Sequence, residues 1–259
     1  MSRGRLVMGL LMGVIALASY FGYREVNPIT GEKQHIGISR EQEVALGLQA
    51  APEMAAQFGG LEPDDRIQSF VQSVGTRVAQ NSAAGSADYR YSFHVLRDRE
   101  TVNAFALPGG PVFITAALFR RLENEAQLAG VLGHEIGHVV ARHSAEHMAK
   151  SQFAQLLVTA VGVAASDEEH PGRGQQAAAA AGFVSQMATL RYGRNDELES
   201  DALGVRFMSE AKYDPRSLLE VMRILAASSA SSGGSRRPEF LSTQSRSWES
   251  RGENQGSDQ

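Results

Sequence analysis

The run His134-Glu135-Ile136-Gly137-His138 constrains this chain more than any other feature. Two histidines four positions apart on an α-helix differ by about 40° in azimuth, so both rings face one way and can hold one metal ion. The glutamate between them reaches a water beside that ion. The spacing therefore demands a helix, and the flanking residues predict one. Leu128, Val131, Leu132, Ile136, Val139 and Val140 recur at three- and four-residue steps. Glu123 and Glu125 crowd the start, while Arg142 and His143 lie near the end, as the helix dipole prefers. Gly130, Gly133 and Gly137 oppose helix propensity by up to about 1 kcal/mol each. Three such glycines predict close packing by a neighbouring element and a helix buried on its metal side. Two surface histidines on a helix are the bland alternative.

Two imidazoles do not complete a catalytic zinc site, which takes three protein ligands and leaves a fourth position to water. One route to the third ligand continues the motif as H-E-x-x-H-x-x-G-x-x-H. Ala141 holds the glycine position here and Ser144 the third histidine position, which excludes it. The other route takes a glutamate from a second helix. The segment Arg194-Asn195-Asp196-Glu197-Leu198-Glu199-Ser200-Asp201-Ala202 fits it. Glu197 and Asp201 share a helix face. Glu197 can bind the metal while Asp201 accepts the second ring N–H of a ligand histidine. Glu199, about 200° round the helix from Glu197, is expected to face solvent. On a continuous helix His143 and His147 lie about 140° and 180° round from His138, so neither is expected as a co-ligand. His35, His94 and His170 have no partner pattern and read as structural or exposed.

With those residues in view, the sequence resembles the M48 family of zinc metallopeptidases, from about Val26 to about Thr243. Asn27-Pro28-Ile29-Thr30-Gly31-Glu32, followed by Gly37-Ile38-Ser39 through Gly47, resembles the opening of that family's exported, periplasmic branch. Asn103-Ala104-Phe105-Ala106-Leu107-Pro108-Gly109-Gly110 resembles its active-site strand and turn. Pro238-Glu239-Phe240-Leu241-Ser242-Thr243 resembles its last recognisable block. One departure follows: relatives continue with His-Pro, whereas this chain has Gln244-Ser245, and glutamine is a poor zinc ligand. The resemblance implies an α+β, mostly helical, zincin-like (gluzincin) domain with a small sheet bordering the active-site cleft. It implies one Zn2+ per chain on His134, His138 and Glu197, with Glu135 as catalytic base and Asp201 behind a ligand. It also implies that Asn103 and Ala104 border the cleft, where an extended substrate takes main-chain hydrogen bonds from a strand edge.

Composition agrees with an enzyme-sized domain. A chain of 259 residues can bury one substantial core. A net charge of −4 argues against a nucleic-acid partner. The absence of cysteine removes disulfides, thiolate nucleophiles and lipid attachment through Cys. Basic Arg3 and Arg5 precede an apolar run from Leu6 to Gly22. That run is long for a signal h-region and short for a span. Residues 1–22 are therefore expected to be a cleaved signal peptide or an uncleaved membrane anchor, with a buried helix as the bland alternative. In the first two cases the body of the chain is exported. Residues 23–236 are expected to form the metallopeptidase domain, and 237–259 a polar, flexible tail.

The remaining elements read coarsely. Helices are expected over Ser39–Phe58, Pro63–Gln80, Ala116–Leu122, Ser151–Ala165, Gln176–Leu190, Asp196–Ala211 and Pro215–Ala227. Strands are expected over Tyr89–Leu96, Val102–Leu107 and Val112–Thr115, with loops at 85–88 and 166–175. The apolar stretch from Phe153 to Ala165 is too short to cross a bilayer and reads as a core helix or one lying on a membrane surface.

The motif predicts a zinc endopeptidase, and the resemblance implies a place in envelope protein quality control, on misfolded or unassembled polypeptides. Glu135 would take a proton from water and deliver it to the leaving amine. Tyr192, Arg194 and His143 are candidates for a second donor to the oxyanion. Two other classes stay open. One is an envelope chaperone or assembly factor with weak proteolysis. The other is a tethered binding module with a structural zinc, which would need neither an open coordination position nor a base at Glu135.

Overall fold

A computed structural model describes residues 3–165 and 192–231 of the chain. The expected loop at 166–175, the helix at 176–190, His170, the block at 238–243, Gln244 and the tail lie outside the described residues. Helix predominates, with two small sheets.

Helix α1 (Arg3–Gly22) leads into a two-residue antiparallel pair, β1 (Glu25–Val26) and β2 (Lys33–Gln34). Helix α2 (Arg40–Gln57) starts on Ser39, whose hydroxyl accepts from the Gln42 N–H while the Gln42 side chain returns to the Ser39 N–H. Helix α3 (Asp65–Gln80) starts on an Asp64 cap. A 3₁₀ turn at Ala83–Ala87 stands where a plain loop was expected.

The second sheet holds β3 (Ser92–Leu96), β4 (Ala104–Ala106) and β5 (Pro111–Thr115) in the order β3-β5-β4. β3 runs parallel to β5, and β4 runs antiparallel to it. Each strand sits inside its expected range and is shorter than or equal to it, except that β5 gains Pro111. The β4–β5 turn is Pro108-Gly109-Gly110. Gly109 has φ +77°, and a Cβ there would come within 2.3 Å of the Val44 Cα. Only glycine allows this turn to seat against α2.

Short helix α4 (Ala116–Phe119) precedes the motif helix α5 (Glu125–Val140). Asn124 caps α5 by accepting from the Gln127 N–H. Every residue from Gln127 to Val140 is buried. Helices α6 (His143–Ala165), α7 (Arg194–Glu210) and α8 (Arg216–Ser231) complete the described chain. The main core joins α3, the sheet, α5, α7 and α8 through Val74, Phe93, Ile114, Leu132, Phe207 and Val221.

The expected continuation of α5 through Arg142 and His143 is corrected. The chain breaks at Arg142, whose φ of 59° is left-handed. That conformation costs a non-glycine residue about 1–2 kcal/mol. The guanidinium offsets the cost in a buried network: Nε donates to Glu43 Oε1 at 2.6 Å, Nη2 donates to the Ile38 carbonyl at 2.9 Å, and Nη1 pairs with Glu25. The carbonyls that α5 leaves open at its end are met by the N-terminal block. Asn27 Nδ2 donates to the Val140 carbonyl at 2.8 Å, and the Gln34 side chain donates to that of Ala141.

Helix α1 packs along α6, with Tyr20 stacked on Phe153 at 4.6 Å and on His35 at 5.0 Å. Val7, Leu10, Leu11, Val14 and Phe21 are exposed, so α1 is not the buried core helix of the bland alternative. Among the described residues, no helix is long and apolar enough to cross a membrane.

Candidate metal centre

Helices α5 and α7 cross at glycines. A Cβ on Gly137 would stand 3.0 Å from the Ser200 carbonyl oxygen, and one on Gly204 would stand 3.1 Å from the His134 nitrogen. The propensity lost at Gly137 and Gly204 thus permits a backbone approach that delivers Glu197 to the two histidines. The expectation of close packing on the metal side is met by α7.

His134, His138 and Glu197 are all buried, and their ligand atoms lie within 4.8 Å of one another. The two Nε2 atoms are 3.0 Å apart. Glu197 Oε2 is 3.5 Å from His134 Nε2, and Oε1 is 3.6 Å from His138 Nε2. Tetrahedral ligands on bonds of 2.0–2.1 Å would be separated by about 3.3 Å. Two imidazoles and a carboxylate at these separations fit a divalent ion such as zinc.

The outer ring nitrogens are also held. His134 Nδ1–H donates to Asp201 Oδ1 at 3.0 Å. His138 Nδ1 lies 2.8 Å from His143 Nδ1. With His138 Nε2 turned to the metal position, its proton sits on Nδ1, so His143 accepts there. His143 then carries its proton on Nε2 and donates to Glu199 Oε2 at 3.2 Å. Burial lowers the pKa of His134, against the pull of Asp201. It lowers that of His138 well below the ordinary value, with His134 and His143 adding to the effect. Both rings are therefore neutral, the form that binds metal.

Glu199 is corrected from solvent-facing to half-buried, with its carboxylate turned to His143. The break at Arg142 resets the helical phase and brings His143 behind His138. Helical geometry on an unbroken α5 had put it elsewhere. His143 belongs to the support of a ligand and is outside the metal-ligand group. His147 Nε2 donates to Asp196 Oδ2 at 2.7 Å and ties α6 to the start of α7. Burial pushes Asp196 up, but His147 and the Gly193 N–H outweigh it and hold the carboxyl at about 2.

Tyr192 stacks on the His138 ring with centroids 4.0 Å apart, and its hydroxyl lies 2.7 Å from Ser144 Oγ. Arg194 is exposed. Of the three candidate oxyanion donors, Tyr192 and His143 are therefore beside the centre. Glu135 is buried and shares a pocket with His134, Asn103 and Ala104. Asn103 is pinned at the entrance to β4: its N–H donates to Thr115 Oγ1 at 3.1 Å, and its carbonyl accepts from the Thr115 N–H at 3.0 Å. His35 and His94 are half-buried, away from the ligand group.

A buried His-His-Glu group, with Glu135 next to His134 on α5, is a set of donors that could hold a metal ion in a zincin-like α+β domain. The chain belongs to peptidase family M48, whose profile matches residues 65–245. It is 32% identical over 198 residues to mitochondrial metalloendopeptidase OMA1 of Schizosaccharomyces pombe, covering 76% of this chain and 56% of that one. It is 30% identical over 223 residues to a beta-barrel assembly-enhancing protease of Yersinia pestis, covering 85% and 44%. The corresponding protease of Escherichia coli is 30% identical over 215 residues, covering 80% and 43%. The chain spans about half the length of these curated relatives.

Proposed function

We propose that this chain is a zinc-dependent endopeptidase that cuts polypeptides presented along β4. The observation that carries the proposal is the convergence of His134, His138 and Glu197 beside Glu135, Ala104 of β4 and Asn103 just ahead of it. When bound, a divalent cation supplies a Lewis acid that polarises the scissile carbonyl and acidifies water. Glu135 takes a proton from the attacking water and later returns it to the leaving amine. Asp201 and His143 fix the two ligand rings from behind. β4 is the edge of its sheet among the described residues, so it offers main-chain hydrogen bonds to an extended chain.

The substrates are misfolded or unassembled envelope proteins, and the body of the chain works outside the cytoplasm with α1 at the membrane. Arg3 and Arg5 ahead of the apolar run support that orientation. The names of the relatives, one tied to β-barrel assembly and one to mitochondria, support a role at membranes.

Casein cleavage by wild type and by Glu135→Gln tests the reading, with metal analysis alongside. The variant should keep one zinc per chain and lose about 10²–10⁴-fold in rate. His134→Ala should lose the zinc. Equal metal in wild type and His134→Ala, or undetectable cleavage by wild type with full biological activity in Glu135→Gln, overturns it. The second outcome would favour a chaperone on the same fold.

A further inference from the structure

Helix α6 starts at the metal centre, where His143 backs His138, and then runs beside α1. Tyr20 stacks on Phe153, and a cavity beside them is lined by Ala16 and Ser19 of α1 and by Gln152 and Leu156 of α6. Ala16 and Ala160 are both buried, so α1 follows α6 outward and the pair is antiparallel. The rest of the pair's surface is apolar: Val7, Leu10, Leu11, Val14, Ile15 and Leu156 are 45–71% exposed. Exposure at Leu156 and along residues 154–156 rules out a core helix for this stretch of α6.

Charge shows what covers that surface. Residues 6–23 and 151–166 contain no Asp, Glu, Lys or Arg. Charge resumes after Tyr20 at Arg24, and before Phe153 at Lys150, which pairs with Glu146 at 3.1 Å. Because Tyr20 and Phe153 touch, these two boundaries fall at one level although they lie far apart in the chain. A bilayer surface imposes such a common level, since charge is excluded below it. Tyr20, Phe21, Tyr23 and Phe153 gather there, as aromatic rings do at a membrane–water interface. Inside the charge-free band, the Thr159 hydroxyl donates to the Gln155 carbonyl at 2.8 Å, which satisfies it without water.

From this we infer that α6 enters the lipid bilayer together with α1, as one antiparallel pair that meets water at the level of Tyr20 and Phe153. Joint entry rests on the reading that α1 is at the membrane, and it places the helix that carries His143 in the same bilayer. Among the described residues neither helix is long and apolar enough to cross a membrane alone. Charge-free stretches of 18 and 16 residues come to about 24–27 Å of helix, a little under the roughly 30 Å of a hydrocarbon core. Lipid therefore thins around the pair. His143 is ten residues from Phe153 on one helix, which holds the metal centre within about 15 Å of the membrane surface.

The test uses the zinc-loaded full chain in vesicles of phosphatidylcholine and phosphatidylglycerol. The chain has no cysteine, so Val14→Cys, Leu156→Cys and Ser73→Cys each carry a single environment-sensitive fluorophore. All three positions are exposed, so the label displaces no packed side chain. Lipids brominated on their acyl chains quench a label among them, and iodide quenches a label in water. The labels at Val14 and Leu156 should lose fluorescence to brominated lipid and be shielded from iodide; the label at Ser73 on α3 should do the reverse. A Leu156 label open to iodide, with the Val14 label in lipid, overturns joint entry and leaves α1 at the membrane. Shielding of both from iodide without quenching by brominated lipid would mean that a second copy covers the pair, and overturns it too. Both labels open to iodide overturns joint entry and the reading of α1 together. The peptidase reading is decided separately by casein cleavage, because none of the labels is in the metal-ligand group.

Discussion

Asp201 and His143 hold the two ligand rings through their Nδ1 atoms, one with a carboxylate and one with a second imidazole. Outer partners of this kind orient the ring and raise its basicity, and removing one costs about 10–100-fold in metal affinity. Asp201→Ala and His143→Ala should each weaken zinc by that factor, read by competition with a chromogenic chelator. Unchanged affinity in His143→Ala, with helical content intact, would reduce His143 to a packing residue. The two partners differed in how visible they were beforehand. Asp201 follows from a four-residue step on one helix. His143 depends on Arg142 adopting a left-handed conformation in the run Ala141-Arg142-His143, where no glycine or proline signals it. The stabilising partners of Arg142 are Glu43 and Glu25, about a hundred residues earlier in the chain. Local pattern carries no trace of so distant a cause.

The glycines of α5 do different things, and the contacts separate them. A Cβ on Gly130 meets Leu218 at 3.4 Å, an ordinary contact, so Gly130→Ala should gain up to about 1 kcal/mol from helix propensity. A Cβ on Gly137 meets the Ser200 carbonyl and Cα at 3.0 and 3.1 Å, and backbone cannot swing aside. Gly137→Ala should therefore cost about 1–3 kcal/mol and weaken zinc binding by shifting α7 with its Glu197. Urea midpoints and chelator competition check both. The sheet carries a separate signal. His94 in β3 lies 5.3 Å from the Phe113 ring, and burial lowers its pKa. The unfolded chain then binds that proton more readily than the folded one. Stability from this site is full above about pH 6.5 and falls as pH drops through it. His94→Gln should flatten the urea midpoint between about pH 7 and 5.5; an unaltered slope would assign it to other groups. Helices α3 and α5 are readable from their apolar periodicity, and α2 from its Ser39 cap and the Gly59-Gly60 stop. The parallel pairing of β3 with β5 and the β1–β2 pair are not, because strand partners and two-residue ladders leave no periodic mark.

The fold lays an early block and the last two described helices along one helix, α5. The Asn27 block closes the end of α5, α7 crosses its middle, and α8 packs near its start at Gly130. Yet the side-chain tie between the motif helix and Glu197 is a set of donors turned inward on one another, buried and without a covalent link. An ion bound there stabilises the folded chain by RT ln(1 + [L]/Kd), about 2.7 kcal/mol at a hundredfold excess over Kd. For a domain of this size that corresponds to roughly 5–10 °C in Tm. Chelation of the zinc-loaded protein should lower Tm by that amount, and added zinc should restore it. His134→Ala, lacking one ligand, should show almost no chelator effect. Glu135→Gln should respond like wild type, because Glu135 is outside the ligand group. A scan of the three proteins with and without chelator thus separates the ligand from the base without measuring catalysis. If wild type and His134→Ala lost the same number of degrees, the ion would be bound elsewhere, and the His134–His138–Glu197 group would have to be read as a packed polar cluster.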